Sequence, residues 1–338
     1  MFPVQAPDRV VLIGASAGGV TALLQICEAL PRHFPAPICI VQHVGSNPSL
    51  LPELLSYRGP NPARHASDGE RLASGTIYVA PPDRHLLVEG EHLRLSHGPK
   101  ENHARPAVDP LFRSAALEWR ERAIGVVLTG QMDDGSAGLY AIQACGGITV
   151  VQDPATAVEP EMPRNALAAV QVDHCVPLDQ IVPLLTQLVR APTIETKLAP
   201  PLPLAREAAI NRGEDKMENL AAIATPSPLT CPDCGGGLWE VNQAKPLRYR
   251  CHTGHAYSAV SLARCQADAA EHALWSGVRA LREREMLLRR VAGISLASGD
   301  VAQACAGEAQ ADRLRRQIDE LSRFAQATPS PLPGEPTT

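Results

Sequence analysis

The sequence predicts an α/β fold built on a mainly parallel sheet. Residues 10–13 form a run of four apolar side chains, and residues 38–41 and 123–128 form two more. Uninterrupted apolar runs of this length are typical of parallel strands that are buried on both faces. Three glycines within residues 14–19 permit a sharp turn after the first run. We therefore expect a strand, a tight turn and then a helix that begins near Val20.

Each of these runs is followed by a side chain that can take part in acyl transfer. Ser16 follows the first run, His43 the second, and Asp134 lies in the loop after the third. Because functional groups gather outside the carboxyl ends of parallel strands, we expect the three to meet at one edge of the sheet. There the serine would attack a carbonyl, the imidazole would carry the proton, and the carboxylate would orient the imidazole. Taken alone, His43 is better explained as a core histidine and Asp134 as a turn residue, so the set carries the prediction.

Other classes of function are disfavoured. The glycine spacing over residues 14–19 is Gly-x-x-x-Gly-Gly, which differs from the dinucleotide-binding pattern, and no lysine follows as in a phosphate-binding loop. A net charge of −5 offers no electrostatic case for nucleic acid as a partner. The sequence has no apolar run of membrane-spanning length and no signal peptide pattern. We therefore expect a cytoplasmic protein without direct membrane insertion.

Seven short segments carry a family resemblance. They include Ile-Gly-Ala-Ser-Ala-Gly-Gly, Val-Gln-His and Asp-Gly-Ser-Ala-Gly-Leu, and they lie at residues 13–19, 41–43, 78–85, 102–112, 126–130, 134–139 and 162–166. Together they resemble the catalytic domain of the CheB family, the chemotaxis protein-glutamate methylesterases. The resemblance implies a three-layer α/β/α fold and hydrolysis of glutamate γ-methyl esters on the cytoplasmic helices of methyl-accepting chemoreceptors, with release of methanol. Some members also deamidate glutamine, acting as protein-glutamine glutaminases. It also implies the catalytic roles of Ser16, His43 and Asp134.

The loop before the predicted catalytic acid departs from the family pattern. The family reads Gly-Met-Gly-x-Asp-Gly where residues 130–135 read Gly-Gln-Met-Asp-Asp-Gly. The resemblance implies an oxyanion hole made by the backbone N–H groups of Ala17 and Gln131, and a backbone donor survives a change of side chain. Asp133 adds a second carboxylate, which either acts on His43 or points into solvent. This altered loop supports the alternative that the chain is a weak or inactive regulatory or docking protein with the same fold.

Family members typically carry a receiver domain in front of the catalytic domain. The first predicted strand begins at Val10, so we expect no receiver control within this chain. A separate receiver-domain protein is therefore an open possibility as a partner.

A second site is predicted beyond residue 228. Cys231 and Cys234 form a Cys-x-x-Cys knuckle, and Cys251 and His255 lie in a second one. Three thiolates and an imidazole at these spacings suit tetrahedral zinc in a structural role. We prefer His255 to His252 because it lies on the far side of the second knuckle. A redox Cys-x-x-Cys is the alternative, but it normally occurs in a βαβ unit that is not predicted here. Catalysis itself requires no cofactor.

Composition and periodicity divide the chain into five parts. Prolines predict a linker that is extended where they dominate, with a short helix as an alternative over residues 206–220. Apolar positions at helical spacing predict a helical hairpin near the end. A proline-rich tail is expected to be disordered. The predicted parts are the methylesterase domain at 8–190, the linker at 191–228, a zinc-ribbon-like module at 229–262, the hairpin at 263–327 and the tail at 328–338.

Overall fold

The computed structural model describes residues 7–44, 47–193, 199–214 and 216–327. The chain divides into two compact units, Met1–Ala263 and Arg264–Thr338.

A parallel seven-stranded sheet forms the centre of the first unit. Strands in the first part of the chain are β1 (Val10–Ala15), β2 (Ile38–Gln42), β3 (Ala63–His65), β4 (Ile77–Val79), β5 (His85–Glu89), β6 (His92–Ser96), β7 (Ala123–Val127), β8 (Ile148–Gln152) and β9 (His174–Val176). The sheet order is β3-β4-β2-β1-β7-β8-β9, and neighbouring strands pair in parallel. Strands β5 and β6 form a separate antiparallel hairpin. The predicted parallel sheet is thus confirmed.

Helices cover both faces of this sheet. They are α1 (Gly19–Ala29), α2 (Leu51–Arg58), α3 (Val108–Trp119), α4 (Ser136–Ala144), α5 (Glu161–Ala169) and α6 (Leu178–Leu188). Leu23 of α1 and Ile181 of α6 are buried in the core on one face. Phe112 of α3 and Leu139 of α4 are buried in the core on the other. The predicted three-layer α/β/α architecture is therefore confirmed.

The glycines after β1 allow the chain to turn within a crowded space. Gly18 has a left-handed backbone with φ of +75°, and α1 begins directly after it at Gly19, one residue earlier than predicted. A Cβ at Gly14 would collide with the side chain of Val108. Small residues therefore let helix α3 approach the end of β1, where Ser16 lies.

In its described part, the predicted linker at residues 191–228 contains more regular structure than the short helix that the sequence allows over residues 206–220. This segment forms helices α7 (Leu202–Arg212) and α8 (Lys216–Ile223), and strand β10 (Ala224–Thr230) begins within it. Its prolines occupy positions that these elements tolerate. Pro201 lies at the N-cap of α7, and Pro226 and Pro228 lie in a strand at the edge of its sheet. Buried apolar side chains such as Leu220 stabilise the helices despite the proline content.

A smaller antiparallel sheet completes the first unit. Its order is β10-β11-β12-β13, with β11 (Gly237–Val241), β12 (Arg248–Cys251) and β13 (Ala256–Ser258) following β10. We call this four-stranded sheet the C-terminal sheet. The backbone N–H of Asn102 donates to the carbonyl of Ala256 at 2.8 Å, and the N–H of Ala256 donates to the carbonyl of Lys100 at 3.3 Å. The C-terminal sheet is therefore bonded to the loop that precedes α3.

The second unit consists of paired helices. Helix α9 (Ala259–Ala297) begins in the first unit and continues into the second, and α10 (Val301–Gln326) follows a short turn. Arg289 of α9 contacts Glu308 at 2.6 Å and Asp312 at 2.9 Å, both on α10. The two helices thus lie side by side, as in the hairpin that the sequence predicts. In the part of the chain that the structure describes, no helix is long and apolar enough to span a membrane. The predicted disordered tail lies outside the described residues.

Candidate active site

The parallel register of β1 and β2 brings Ser16 and His43 together. Ala15 pairs with Gln42, so the next residue of each strand projects from the same edge of the sheet. His43 Nδ1 lies 3.1 Å from Ser16 Oγ, within hydrogen-bond distance. Both residues are half-buried, so the serine is held in place and still accessible.

Asp134 lies on the other side of the same imidazole. Its Oδ2 is 2.8 Å from His43 Nε2, so each ring nitrogen of the histidine has one functional partner. The loop after β7 carries Asp134 to this position, directly before α4. The structure thus brings together all three residues that the strand ends predicted. A serine, an imidazole and a carboxylate in this order can transfer an acyl group.

Hydrogen bonds surround the Asp134 carboxylate, which is 2% exposed. The backbone N–H groups of Val108 and Asp109 donate to it at 2.6 and 3.2 Å, from the first turn of α3. The side-chain amide of Asn102 donates to Oδ1 at 3.0 Å. Burial alone would raise the pKa of Asp134, but the His43 partner and these donors outweigh it, so its pKa lies below the ordinary value. Asp134 is therefore ionised at neutral pH and can stabilise a protonated imidazole.

A second buried carboxylate, Asp109, fixes the loop that carries Asp134. Its Oδ1 accepts from the N–H groups of Gly135 at 3.0 Å and Gly138 at 2.6 Å, and its Oδ2 accepts from Asn102 at 3.0 Å. Burial and the nearby charge of Asp134 raise the pKa of Asp109. No role was predicted for Asp109 or Asn102. The available signal was an acidic residue in the first turn of α3.

The altered loop after β7 packs against the serine. The N–H of Ser16 donates to the carbonyl of Thr129 at 3.0 Å, and a Cβ at Gly130 would lie 2.7 Å from Ser16 Cβ. Among the described residues, none accepts a hydrogen bond from the N–H of Ala17 or of Gln131. Ala17 directly follows Ser16, and Gln131 follows Gly130, which packs against Ser16. Both N–H groups are therefore close to the serine and free to bind a ligand. This is compatible with the predicted oxyanion hole.

Met132 takes the left-handed conformation that the family's glycine would adopt without strain. Its φ is +65°, an unfavourable value for a side chain of this kind. Two hydrogen bonds hold it there, because its N–H donates to Glu161 at 2.7 Å and its carbonyl accepts from Asn165 at 2.7 Å. The loop therefore keeps a glycine-like course with a methionine in place.

Asp133 does not point into solvent. It is 3% exposed, and its Oδ1 accepts from Ser258 Oγ of the C-terminal sheet at 2.7 Å. Burial and the neighbouring charge of Asp134 raise the pKa of Asp133 to about 6. The extra carboxylate of this chain is thus directed towards the C-terminal sheet.

The predicted metal ligands form one cluster at the other end of the C-terminal sheet. The ligand atoms of Cys231, Cys234, Cys251 and His255 lie within 4.8 Å of one another. Cys234 Sγ is 3.7 Å from Cys251 Sγ, and Cys251 Sγ is 3.4 Å from His255 Nδ1. Ligands about 2.0–2.3 Å from a tetrahedral zinc are separated by similar distances, roughly 3.5–3.8 Å. His252 is not part of the cluster. The donor set and its spacing fit a metal ion.

A parallel α/β/α sheet with a serine, a histidine and an aspartate at its carboxyl edge is an arrangement typical of hydrolases. The chain belongs to the CheB methylesterase family, whose model matches residues 11–185. The C-terminal sheet and the helical hairpin lie beyond the matched residues.

Relatives and a solved structure support this assignment. A protein of Leptospira interrogans is 40% identical over 184 residues, which are 53% of this chain and 93% of that relative. A protein of Anaeromyxobacter dehalogenans named protein-glutamate methylesterase/protein-glutamine glutaminase 2 is 41% identical over 183 residues, 54% of each chain. This chain therefore spans about half the length of that second relative. The crystal structure of the Thermotoga maritima CheB methylesterase catalytic domain aligns with a TM-score of 0.51 and 33% identity, covering 53% of this chain and 98% of that one.

Proposed function

We propose that this protein hydrolyses glutamate γ-methyl esters on the cytoplasmic helices of methyl-accepting chemoreceptors. The observation that carries the proposal is the imidazole of His43, which lies 3.1 Å from Ser16 Oγ and 2.8 Å from Asp134 Oδ2. The relatives' shared name supports the choice of ester.

In the proposed reaction, Ser16 Oγ attacks the ester carbonyl while His43 Nδ1 takes the hydroxyl proton. The tetrahedral intermediate collapses, His43 returns the proton to the leaving oxygen, and methanol departs. A water molecule then attacks the acyl-enzyme with the same histidine as base, which releases the glutamate side chain and restores the serine. The net reaction converts one methyl ester and one water into one carboxylic acid and one methanol.

The surroundings of the histidine favour this sequence of proton transfers. As the imidazole takes the serine proton it becomes positive, and the ionised Asp134 beside Nε2 stabilises that charge. The oxyanion would accept hydrogen bonds from the N–H groups of Ala17 and Gln131. Helix α1 begins three residues after Ser16, so the positive end of its dipole also favours negative charge there.

The same machinery supports a second substrate. Glutamine presents an amide in place of the methyl ester, and attack by Ser16 would then release ammonia. The relatives' names include protein-glutamine glutaminase activity, so we propose deamidation as a side activity of the same site.

The setting that we propose is a cytoplasmic signal transduction pathway of the chemotaxis type. The catalytic steps require no cofactor. The cysteine-histidine cluster is proposed to hold a structural zinc, because three thiolates and an imidazole are a preferred donor set for that ion.

Methanol release tests the proposal. Receptor membranes carrying radiolabelled methyl groups are incubated with the wild type, with Ser16→Ala and with Ser74→Ala, a matched change at an exposed serine. We expect volatile radiolabel from the wild type and Ser74→Ala, and none above background from Ser16→Ala. Release by Ser16→Ala at the wild-type rate would disprove the nucleophile. A wild type that binds receptor membranes without releasing methanol would favour the regulatory or docking alternative.

A further inference from the structure

The C-terminal sheet ends against the groups that hold the proposed catalytic acid. Its last strand, β13, closes at Ser258, and α9 begins at the next residue. Ser258 and Ser261 are 3% and 0% exposed, so their polar atoms face protein groups only. Neither residue lies within the part of the chain that matches the family.

Asn102 connects these serines to Asp134. Its side-chain oxygen accepts from the backbone N–H of Ser258 and from Ser261 Oγ, both at 3.0 Å. Its amide nitrogen donates to Asp134 and Asp109, also both at 3.0 Å. The backbone N–H of Ser258 can only donate and the Asp134 carboxylate can only accept, so these two partners fix which end of the amide is which. The serines thereby direct a donor at the carboxylate of Asp134.

Ser258 makes a further contact beside the same carboxylate. Its hydroxyl donates to Asp133 Oδ1 at 2.7 Å and accepts from the N–H of Ser261 at 2.9 Å, which caps the first turn of α9. Asp133 precedes Asp134 in the chain, so this bond restrains the loop that carries the catalytic acid. The N-terminal end of α9 also favours the negative charge of Asp133.

Buried ion pairs hold the C-terminal sheet in this position. Arg250 of β12 contacts Glu101 at 2.6 Å and Glu207 of α7 at 3.0 Å. Glu101 also pairs with Arg113 of α3, and Glu207 with Arg248 at 2.6 Å. Glu101 directly precedes Asn102, so the ion pairs and the hydrogen bonds of the Asn102 side chain are made by the same loop.

We propose that Asn102, Ser258 and Ser261 are positioning residues for ester hydrolysis, and that the C-terminal sheet is a working part of the active site. The proposal rests on the proposed function. Without the Ser261 hydroxyl the Asn102 amide is less restrained, and without the Ser258 hydroxyl the loop that carries Asp134 is less restrained. Asp134 is then held less firmly against His43. Proton transfer through His43 should become slower, and kcat should therefore fall. Contacts with the substrate are unchanged, so KM should stay constant.

The test compares Ser261→Ala and the double change Ser258→Ala/Ser261→Ala with the wild type. Two substrates are used, methylated receptor membranes and p-nitrophenyl acetate, a small ester that needs no receptor docking. We expect kcat to fall roughly 10-fold for the single variant and further for the double variant, with KM within about twofold for both substrates. Labelling of Ser16 by a fluorophosphonate probe should slow in parallel.

Two controls separate positioning from loss of folding. Ser227→Ala removes a hydroxyl that donates to the Leu238 carbonyl at 2.9 Å in the same sheet, away from Asn102, and should keep the wild-type kcat. Ser258→Ala is measured beside Ser258→Thr, which keeps the hydroxyl and should retain the rate that Ser258→Ala loses. If the double variant does not fold, Ser261→Cys, which keeps the volume with a weaker donor, should show an intermediate kcat.

The outcomes distinguish the inference from the function on which it rests. A wild type that hydrolyses neither ester and does not react with the probe overturns the proposed function. An active wild type with unchanged kcat in both serine variants overturns the inference alone. Loss of receptor hydrolysis through a raised KM, with p-nitrophenyl acetate hydrolysis intact, also overturns it and identifies the C-terminal sheet as a docking surface.

Discussion

Replacing Glu101 with glutamine tests whether buried ion pairs fasten the C-terminal sheet to the catalytic domain. Glu101 is 2% exposed and contacts both Arg113 and Arg250. Burial alone would raise the pKa of Glu101, but the two guanidinium charges hold it well below the ordinary range. The side chain is therefore a carboxylate at neutral pH, and Glu101→Gln removes its charge with almost no change of shape.

The expected cost follows from the charges that stay behind. Removal of one partner from a buried ion pair typically destabilises a protein by about 3–5 kcal/mol, because the remaining charge is uncompensated. Two guanidinium groups share Glu101, so we expect a value in that range. For a unit of this size each kcal/mol lowers the melting temperature by about 2–4 °C, which gives a decrease of roughly 10 °C.

Urea and thermal unfolding followed by circular dichroism measure this cost. Glu28→Gln is the matched control, because Glu28 pairs with Arg58 at 2.9 Å with more than half of each side chain exposed. That change should cost less than about 1 kcal/mol. The depressed pKa of Glu101 also fixes the sign of the pH dependence. Its stabilisation is present above about pH 4, and the gap between wild type and Glu101→Gln should narrow as the pH falls further. Equal effects of the two substitutions at pH 7 would refute the reasoning.

Three further perturbations test the site and the cluster. Asp134→Asn should lower kcat for methanol release by roughly 10⁴-fold, as expected when a triad carboxylate is neutralised, and a loss below tenfold would contradict its role. Asp133→Asn should stabilise the protein at pH 8 by about 3 kcal/mol, because burial raises the pKa of Asp133 to about 6, and the resulting cost to the folded state builds up between about pH 4 and pH 6 and is complete above that range. In urea unfolding the advantage should vanish at pH 4, and an advantage independent of pH would exclude this cause. Protein purified without chelator should contain about one zinc per chain. Its removal, or Cys251→Ser, should lower the melting temperature, and a molar ratio far below one would refute an occupied site.

The sheet and the meeting of Ser16, His43 and Asp134 could be predicted because their signals are local. Each residue follows an apolar run, and parallel strands place their ends at one edge. The cysteine-histidine cluster could also be predicted, because the two ligands of each knuckle are only three or four residues apart in the sequence. In the structure, His43 lies within hydrogen-bond distance of both Ser16 and Asp134, and the four predicted metal ligands form one cluster.

Other features of the site had no local signal. Ser258 lies 156 residues from Asn102, and Arg250 lies 149 residues from Glu101, so these contacts depend on how the C-terminal sheet packs. The prolines of residues 191–228 favoured an extended chain with at most a short helix, because proline content does not show which apolar side chains the helices bury. Proline at a helix start or in an edge strand costs little, and burial decided the outcome.

The border of the compact first unit has a practical consequence for anyone who expresses this enzyme in pieces. The family match stops at residue 185, whereas that unit continues to Ala263. A gene trimmed to the family's own length would leave Glu101 without Arg250, and would leave Asn102 and Asp133 without the serines that bond to them. Recombination or transplantation of this domain should therefore place its junction after the second knuckle and the first turn of α9, where the severed backbone carries no partner of the catalytic acid.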